Sequence, residues 1–470
     1  MSEISSIPEL MKKVADLSYI SDLMQKSREA QKELATYTQD EVDAIVKVIA
    51  KTVYDNAEEL ARMAVEETRM GVYEDKVIKN KGKSKTIYNH IADKKTVGVI
   101  NKDELTGLTY VAKPIGIVGA VTPTTNPIVT PMCNAMFAIK GGNSIIIAPH
   151  PRSQKCSAYT VDLINKNIKE QGVKCPEHAI QIIRDSSIDK TSELMGIVDV
   201  VIATGGMGLV REAYSSGKPS FGVGAGNVQV IVDTDIDFDD ATAKIIAGRK
   251  FDNGIICSGE QTIIAPRDKY DEVIKAAVKN GAYYAEDEET VNKFRKILFL
   301  GSTLNKDVVG QSVQKIANLA GVTVPSDTKV ILLKASGIGK EDILCKEKMC
   351  PVMAAFAYDS FDEAIKIAQT NLNLEGKGHT AAIHSNNSKH IELAGTKLTI
   401  SRLIVNASSS TTAGGSLTNG LAPTTTLGCG TWGNNIISEN LDYKHLINVS
   451  RIASVIKNAE VPSDDLIWQK

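Results

Sequence analysis

A pattern that occurs four times between residues 110 and 215 constrains the fold more than any other feature. Each repeat consists of a short apolar run, a loop rich in glycine or proline, and a helical stretch. A strand, a loop and a helix repeated in this order indicate a parallel sheet with crossover helices, and therefore an α/β fold. The predicted strands are 116–121, 144–148, 179–183 and 198–203, and the predicted helices are 128–140, 154–170, 189–196 and 207–215.

The loops that follow these strands are the predicted site. Ligands of an open parallel sheet bind beyond the carboxyl ends of its strands. The loops 122–127, 149–154 and 204–208 would therefore share one rim of the sheet. A second α/β half follows, with predicted strands at 228–233, 262–266, 329–333, 352–357, 379–384 and 402–406 and helices at 239–249 and 270–281.

The two ends of the chain depart from this pattern. From Ile20 to about Thr68 apolar residues recur every three or four positions, which predicts helix. The first twenty residues predict a small amphipathic helix of their own, either packed on the body or serving to dock a partner. Residues 407–435 are rich in Ser, Thr and Gly but poor in charge, which favours ordered loops over disorder. Residues 445–450 predict a strand.

Composition argues against several classes of protein. The 54 Lys and Arg residues nearly balance the 56 Asp and Glu residues, so overall charge favours neither nucleic acid nor an acidic membrane as a partner. No apolar run approaches the roughly 20 residues of a membrane span, and the N-terminus lacks the apolar core of a secretory signal. The seven cysteines form no CxxC pair and the histidines show no metal-ligand spacing. We therefore predict a cytoplasmic protein without disulfides or a bound metal.

Cys257, in the segment FDNGIICSGEQ, is the leading candidate for chemistry. It follows a helical stretch and lies among Gly254, Ser258 and Gly259, where the backbone can approach a substrate closely. A thiolate is strongly nucleophilic, and nearby backbone N–H groups or a helix terminus can lower the pKa of a thiol. The competing interpretation is structural, because free cysteines are among the most buried residues.

Two further features are weak signals on their own. Asn126 in TPTTNP offers a side-chain amide that can stabilise an oxyanion, although Asn before Pro is also typical of turns. The glycines of TGGMG at 204–208 suit the approach of a phosphate, but neither this segment nor GVGAGN at 222–227 fits the GxGxxG motif. Walker, HExxH and GxSxG motifs are absent from the sequence, which removes support for kinases, zinc proteases and serine hydrolases.

The order of nine segments is more specific than any one of them. They are TPTTNP, PHPRS, ATGGMG, GVGAGN, FDNGIICSGEQ, CKEKMCPV, GHTAA, RLIVN and TTTLGCGTWGNNIISEN. Over about residues 20–455 this series resembles the aldehyde dehydrogenase superfamily, specifically its CoA-acylating branch. Within the branch it is similar to the CoA-dependent succinate-semialdehyde dehydrogenases and to the aldehyde-dehydrogenase half of the aldehyde–alcohol dehydrogenases. The resemblance implies a Rossmann-like cofactor domain, an α/β catalytic domain and a small oligomerisation arm.

The resemblance also implies roles for individual residues. Cys257 matches the nucleophile that attacks the aldehyde, and Asn126 matches the amide that holds the oxyanion together with the Cys257 N–H. His379 in GHT is similar to a histidine that assists acyl transfer in this branch. Glu347 matches the acidic residue at the nicotinamide ribose, and 204–208 matches the loop under the pyrophosphate. The residues expected at the cofactor are Thr122, His150, Arg152, Lys155, Thr204, Gly205, Gly206, Gly208 and Glu347.

One departure from the family pattern bears on the acyl acceptor. Hydrolytic aldehyde dehydrogenases carry a glutamate base in a segment of the form ELGG, whereas the matching segment here, 221–227, reads FGVGAGN. Water, with a pKa of about 15.7, needs a strong base to attack a thioester. A thiol with a pKa of about 8.5 is a few per cent ionised at pH 7 and is far more nucleophilic. The sequence therefore favours CoA over water as the acceptor.

The choices of cofactor and aldehyde rest on fewer residues. The loop PHPRSQK at 149–155 contains basic residues and no carboxylate, which favours NADP over NAD. The overall resemblance favours succinate semialdehyde, with short aliphatic aldehydes as the alternative. A substrate carboxylate requires cationic or hydroxyl donors, and the candidates are Arg402, Ser408 and Ser409 within a run of hydroxyl residues. A basic residue at position 402 can equally have a structural role instead of binding the substrate carboxylate.

The resemblance divides the chain into three parts and implies a homodimer. The cofactor-binding domain is predicted at 1–94 and 112–227, the catalytic domain at 228–432, and the arm and tail at 95–111 and 433–470. The dimer is expected to form through the arm and the strand at 445–450. Two other classes stay open at this point: a hydrolytic dehydrogenase, which lacks its base here, and a catalytically silent nucleotide-binding scaffold, which would not need Cys257.

Overall fold

The computed structural model describes residues 7–456 and 459–469, with side-chain environments from residue 16 onward. Its strands lie in three larger sheets and one short hairpin. The strands are β1 (Gly98–Asp103), β2 (Leu108–Pro114), β3 (Ile117–Thr122), β4 (Ser144–Pro149), β5 (Ile180–Ile182), β6 (Val200–Thr204), β7 (Ser220–Val223), β8 (Gln229–Val232), β9 (Thr262–Pro266), β10 (Ala282–Ala285), β11 (Phe299–Leu300), β12 (Thr303–Leu304), β13 (Val330–Lys334), β14 (Val352–Tyr358), β15 (Gly378–His384), β16 (Ile400–Val405) and β17 (Ile447–Ala453).

Helices cover the faces of the two parallel sheets. They are α1 (Ile7–Leu34), α2 (Gln39–Asp55), α3 (Ala57–Thr68), α4 (Tyr73–Ile91), α5 (Val129–Lys140), α6 (Gln154–Glu170), α7 (Ile188–Ile197), α8 (Met207–Ser215), α9 (Phe238–Lys250), α10 (Tyr270–Lys279), α11 (Glu288–Leu298), α12 (Val313–Ala320), α13 (Phe361–Leu374), α14 (Ser388–Lys397), α15 (Ser409–Thr412) and α16 (Asp464–Trp468). The predicted α/β class is confirmed.

The first parallel sheet contains the four predicted strands and one more. Its order is β5-β4-β3-β6-β7, and β3 and β4 are buried along their whole length. Helices α2, α5 and α6 contribute to one core with this sheet, through residues such as Ile45, Phe137 and Ile164. Strand β7 was not predicted, because its four residues include Gly222 and only a short apolar stretch.

The prediction for the first twenty residues is wrong. The described part of this segment does not form a separate helix, because α1 continues without a break from Ile7 to Leu34. The helical prediction for Ile20 to Thr68 is confirmed, since α1, α2 and α3 cover most of this region. Thr38 caps α2, where its hydroxyl accepts from the Glu41 N–H and the Glu41 carboxylate accepts from the Thr38 N–H. Such a reciprocal pair ends one helix and begins the next at a defined residue.

The second sheet has seven parallel strands in the order β10-β13-β14-β9-β8-β15-β16. Separate apolar clusters fill its two faces, one around Phe294 and Leu372 and the other around Ile245 and Ile274. Its six predicted strands are present, each within two residues at either end. Cys257 lies between α9 and β9, at the amino end of a central strand.

The third sheet is small and antiparallel, with the order β1-β2-β17. It joins residues 98–114 to the predicted C-terminal strand, which begins at Ile447 because residues 443–446 form a 3-10 turn. No segment of residues 7–456 or 459–469 forms a helix long and apolar enough to cross a membrane. The domain boundaries given above stay a prediction.

Candidate active site

Two cavities meet at Cys257. The small cavity, of about 200 Å³, is bounded by α4 and by the segment 410–427. The large cavity, of about 560 Å³, is bounded by the loops after β3, β4 and β6. Asn126, Cys257 and Thr425 line both cavities. Cys257 is therefore accessible to a group bound in either cavity.

The backbone before Cys257 turns sharply. After α9 ends, Asp252 and Asn253 both adopt left-handed conformations, with φ of 51° and 52°, and Gly254 follows at 67°. Asn253 stabilises this turn, since its amide donates to the carbonyl oxygen of Gly310 at 3.0 Å. The turn brings Cys257 to the loop after β3 that contains Asn126.

Burial raises the pKa of the Cys257 thiol to about 12, with further contributions from Glu347 and Cys429. Arg402 acts in the opposite direction but does not reverse the shift. The groups that lower this pKa, Arg402 and the Cys257 N–H, are outweighed by burial, so the Cys257 sulfur is a thiol at pH 7 in the protein alone.

The Asn126 side chain is held on its carbonyl side. Lys79 Nζ donates to Asn126 Oδ1 at 2.7 Å, and the Asn126 amide nitrogen lies 3.3 Å from the Thr125 hydroxyl. Asn126 faces both cavities together with Cys257, as the sequence predicts.

Six of the nine predicted cofactor residues line the large cavity: Thr122, His150, Thr204, Gly205, Gly206 and Glu347. The other three lie outside its wall. Lys155 is in the first turn of α6, where its N–H donates to Glu67, Arg152 is exposed nearby, and Gly208 is exposed within α8.

The wall of the large cavity also contains polar groups suited to a ligand. The hydroxyls of Thr122 and Thr124 are buried there, with no hydrogen-bond partner among the residues that the structure describes. Apolar side chains at the rim, Ile188 and Leu209, offer a surface for a flat ring. A dinucleotide requires both kinds of contact, so the residues present fit one.

Glu347 lies on a loop that Asn227 holds in place. The Asn227 amide donates to the Cys345 carbonyl at 2.7 Å and to the Glu375 carbonyl at 3.0 Å. The Glu347 carboxyl accepts from the Gly226 N–H at 3.3 Å. Burial, with a smaller contribution from Glu375, raises the pKa of Glu347 to about 8, so this carboxyl is neutral at pH 7 in the protein alone.

The segment 221–227, which contains no glutamate, lies directly against Cys257. A Cβ atom added to Gly226 would lie 1.8 Å from the Cys257 carbonyl oxygen, and Val223, Gly224 and Ala225 line the large cavity. A carboxylate in this segment would therefore be next to Cys257, and the segment offers none.

His379 and Arg402 lie behind the site rather than in a cavity wall. Arg402 is buried and donates to the carbonyl oxygens of Gly428 and His379, both at 2.9 Å, and to Asn440 at 3.2 Å. His379 is buried beside Thr380, and burial keeps its pKa well below the usual range. The structure thus brings neither residue into the two cavities.

The hydroxyl run after β16 reaches the small cavity with different members from those predicted. Ser410 and Thr411 line it, whereas Ser408 and Ser409 do not. The Ser409 N–H instead donates to the buried carboxyl of Glu260 at 2.6 Å. The short helix α15 rotates successive side chains by about 100°, so composition alone does not show which pair borders the cavity.

Lys83 is a site residue that sequence reasoning missed. It lies on α4 and lines the small cavity, where its Nζ donates to the carbonyl oxygens of Gly414 at 2.7 Å and Thr424 at 3.0 Å. An ammonium group has three donors, so one remains for a ligand. Burial lowers the pKa of Lys83 to about 8, which leaves the side chain charged at pH 7.

Comparisons with known proteins agree with this geometry. The model of the aldehyde dehydrogenase family matches residues 10–315. The chain is 59% identical over 449 residues to the succinate-semialdehyde dehydrogenase (acetylating) of Clostridium kluyveri, which covers 96% of this chain and 98% of that protein. It is 39% identical over 452 residues to the aldehyde-alcohol dehydrogenase of Clostridium acetobutylicum, which covers 95% of this chain and 52% of the relative.

A solved structure shows the same fold. The acetylating aldehyde dehydrogenase of Geobacillus thermoglucosidasius is 36% identical to this chain, with a TM-score of 0.91. The match covers 96% of this chain and 99% of that structure. The predicted fold is therefore confirmed.

Proposed function

The chain belongs to the aldehyde dehydrogenase family, and on that premise we propose that it oxidises succinate semialdehyde reversibly to succinyl-CoA, with CoA as the acyl acceptor and NAD(P) as the hydride acceptor. The observation that carries the proposal is the position of Cys257 between a cavity with a free cationic donor and a cavity that fits a dinucleotide. We assign Cys257 as the nucleophile and Asn126 as the amide of the oxyanion site.

The reaction has two halves on Cys257. The ionised sulfur attacks the aldehyde carbon, and the carbonyl oxygen becomes an oxyanion held by the Asn126 amide and the Cys257 N–H. A bound nicotinamide supplies the acceptor for the hydride that leaves this carbon. A thioester on Cys257 remains, and the CoA sulfur then attacks its carbonyl, so that the Cys257 thiolate leaves and the acyl group is transferred.

CoA as the acceptor is supported by what borders the thioester. The segment 223–227 touches Cys257 and carries no carboxylate, and Glu347 holds its proton below about pH 8. A thiol needs less help from a base than water does. We expect reduced nicotinamide to form in one stoichiometric burst without CoA and continuously with it. Equal turnover in both conditions would contradict this proposal.

The substrate carboxylate is assigned to the small cavity. Its wall combines apolar side chains with Lys83, Ser410 and Thr411, so it can hold an alkyl chain that ends in an anion. Hydrogen bonds to charged groups contribute about 1.5–3 kcal/mol, which corresponds to a factor of roughly 10–150 in affinity. The apolar part of the same wall supports short aliphatic aldehydes as the second candidate substrates.

Butyraldehyde separates these candidates, because it matches succinate semialdehyde in length but lacks the carboxylate. We expect Lys83→Met to lower kcat/KM for succinate semialdehyde by roughly 10–150-fold and that for butyraldehyde by less than about threefold. Lys81→Met is the matched control. It removes a lysine of α4 that lies on the surface, with its Nζ 3.3 Å from Glu58. An equal loss with both aldehydes would refute the assignment.

NADP is the proposed cofactor. Its support is that the loop after β4 places His150 in the cavity wall and exposes Arg152 nearby without a carboxylate. The only carboxyl groups in the described wall, Glu212 and Glu347, come from other segments. We expect kcat/KM to favour NADP, and Arg152→Gln to reduce that preference about tenfold, since one charge-assisted hydrogen bond to a phosphate is lost. A preference for NAD in the parent enzyme would contradict the proposal.

We also propose a cytoplasmic homodimer that uses strand β17. This strand is an edge of the small sheet, and Ile452, Val455 and Ile456 are exposed beside it. Sedimentation should give twice the chain mass, and Ile452→Lys should shift the protein toward monomer. Docking by the first residues stays a prediction, since residues 1–6 and the side chains before residue 16 lie outside the described part.

A further inference from the structure

Lys79 connects the two segments that form the reaction centre. Its Nζ donates to Asn126 Oδ1 at 2.7 Å and to Asp252 Oδ2 at 2.5 Å. Asn126 lies in the loop after β3, and Asp252 lies in the turn that leads to Cys257. Lys79 itself comes from α4 and is buried.

The chemistry of the two groups fixes the orientation of the amide. An ammonium group has donors only, so it must face the oxygen of Asn126 and not the nitrogen. A rotation of the amide by 180° would place two sets of donors against each other inside the protein. The Asn126 nitrogen is therefore the end that remains for a ligand, and an oxyanion needs a donor at this point.

We propose that Lys79 is a positioning residue, which orients the Asn126 amide so that its N–H group faces the oxyanion formed at Cys257. This inference rests on the proposed role of Asn126 in the oxyanion site. Lys79 borders the small cavity, and its ammonium group acts through Asn126, because its Nζ is bound to Asn126 Oδ1 and Asp252 Oδ2.

Asp252 holds Lys79 in this position. Its second oxygen accepts from the Val72 N–H at 2.8 Å, and Lys76 donates to the first at 3.0 Å. Burial opposes the ionisation of Asp252, but the ammonium groups of Lys79 and Lys76 outweigh it and keep the pKa below its usual range. Three donors therefore hold the Asp252 carboxylate, and the carboxylate keeps Lys79 in place.

Butyraldehyde tests the inference without involving a substrate carboxylate. We expect Lys79→Met to lower kcat by roughly 10²-fold with little change in KM, because losing one oxyanion donor costs about 10²–10³ in kcat. Lys81→Met is the matched control. It removes a lysine of the same helix whose Nζ lies near Glu58 on the surface, away from Asp252 and Asn126, and it should keep kcat within about threefold of the parent value.

A double-mutant cycle separates positioning from a general structural role. Because Lys79 acts through Asn126, Lys79→Met should add less than about threefold to the loss already caused by Asn126→Ala. Lys79→Arg keeps a charged donor and should retain about tenfold more kcat than Lys79→Met. The alkylation rate of Cys257 by iodoacetamide and the melting temperature report whether each variant keeps the site folded.

The outcomes are distinct. If Asn126→Ala is itself without effect on kcat, the proposed oxyanion role fails. If Asn126→Ala is impaired while Lys79→Met has the parent kcat, or if the two losses multiply, the positioning role is overturned. A loss confined to succinate semialdehyde would also overturn it, because Lys79 would then act as a carboxylate ligand. An unfolded Lys79→Met leaves the decision to Lys79→Arg in the same cycle.

Discussion

Replacing Glu347 by glutamine should remove a pH-dependent loss of stability. The folded protein raises the pKa of this carboxyl to about 8, mainly by burial, from 4.5 in an exposed reference. When folding raises the pKa of an acid, the group contributes stability that is fully present at pH values below its unfolded-state pKa. That stability is lost as pH rises from the unfolded to the folded value, because over this interval the unfolded carboxyl is ionised while the folded one keeps its proton, and the loss is complete once pH passes the folded value. Glutamine has the same shape and does not ionise.

The size of the effect follows from the pH interval. Each pH unit between the two pKa values corresponds to 1.36 kcal/mol, so the step from pH 6 to the folded pKa amounts to about 3 kcal/mol at most. Rearrangement of Glu347 toward water in the large cavity reduces this ceiling. With an unfolding entropy of about 2.1 cal/mol/K per residue, a chain of 470 residues shifts by about 1 °C per kcal/mol. Glu347→Gln should therefore gain up to about 3 °C in melting temperature relative to the parent between pH 6 and pH 9.

The assay is a series of thermal melts of the enzyme without cofactor from pH 6 to pH 9. Glu260, whose pKa burial raises to about 7, titrates in both proteins and cancels in the difference. Glu66→Gln, at an exposed position, controls for the loss of one surface charge. Parallel curves for the parent and Glu347→Gln would refute the claim that burial holds this carboxyl neutral.

Three further substitutions have expected outcomes. Gly82 lies within α4 and a Cβ there meets no atom within 4 Å, so Gly82→Ala should stabilise the protein by about 0.5–1 kcal/mol in thermal melts. No rise in melting temperature would show that the space is not free. Gly226→Ala should lower kcat by at least about 10²-fold, because its methyl group must displace the Cys257 carbonyl oxygen 1.8 Å away. Unchanged kinetics would contradict the close contact. The Arg402 guanidinium is bound to backbone carbonyls, so Arg402→Met should lower the free energy of unfolding in urea by about 2 kcal/mol or more. The ratio of kcat/KM for succinate semialdehyde to that for butyraldehyde should stay unchanged. A change in that ratio would show that Arg402 does bind the substrate carboxylate.

The central strands were predictable because burial on both faces produces a recognisable sequence pattern. Strands β3 and β4 are covered by helices on both faces, and a strand buried on both faces is a continuous apolar run. Strand β10 was missed for the opposite reason. It lies at an edge of its sheet, where Tyr283 and Tyr284 are half-buried and their hydroxyls reach solvent or Tyr270.

The positions of Cys257 and Asn126 were predictable, whereas those of Arg402 and the serines depend on side-chain orientation. Cys257 and Asn126 are in loops that follow α9 and β3, and the structure brings both into the walls of the two cavities. Arg402 is in strand β16, where alternate residues face opposite sides, and the choice of side depends on packing in three dimensions. Ser409 and Ser410 are neighbours in sequence and both buried, and the turn of α15 places only Ser410 in the cavity wall.

Helix α4 shows which sequence signal would have found the missing residues. Its buried face includes Lys76, Lys79 and Ser84, and Lys83 faces the small cavity, at spacings of three and four residues that in other helices carry apolar side chains. Burying an ammonium group is costly unless acceptors surround it, so lysines on a packing face require carboxylates or carbonyl oxygens from elsewhere in the fold. Here these acceptors are Asp252, the Asn126 amide and the backbone carbonyls of Gly414 and Thr424. In α4, lysines at helical spacing therefore mark the part of the helix that faces the candidate site, whereas Ile87 and Ile91 at its other end pack in the core of the first sheet.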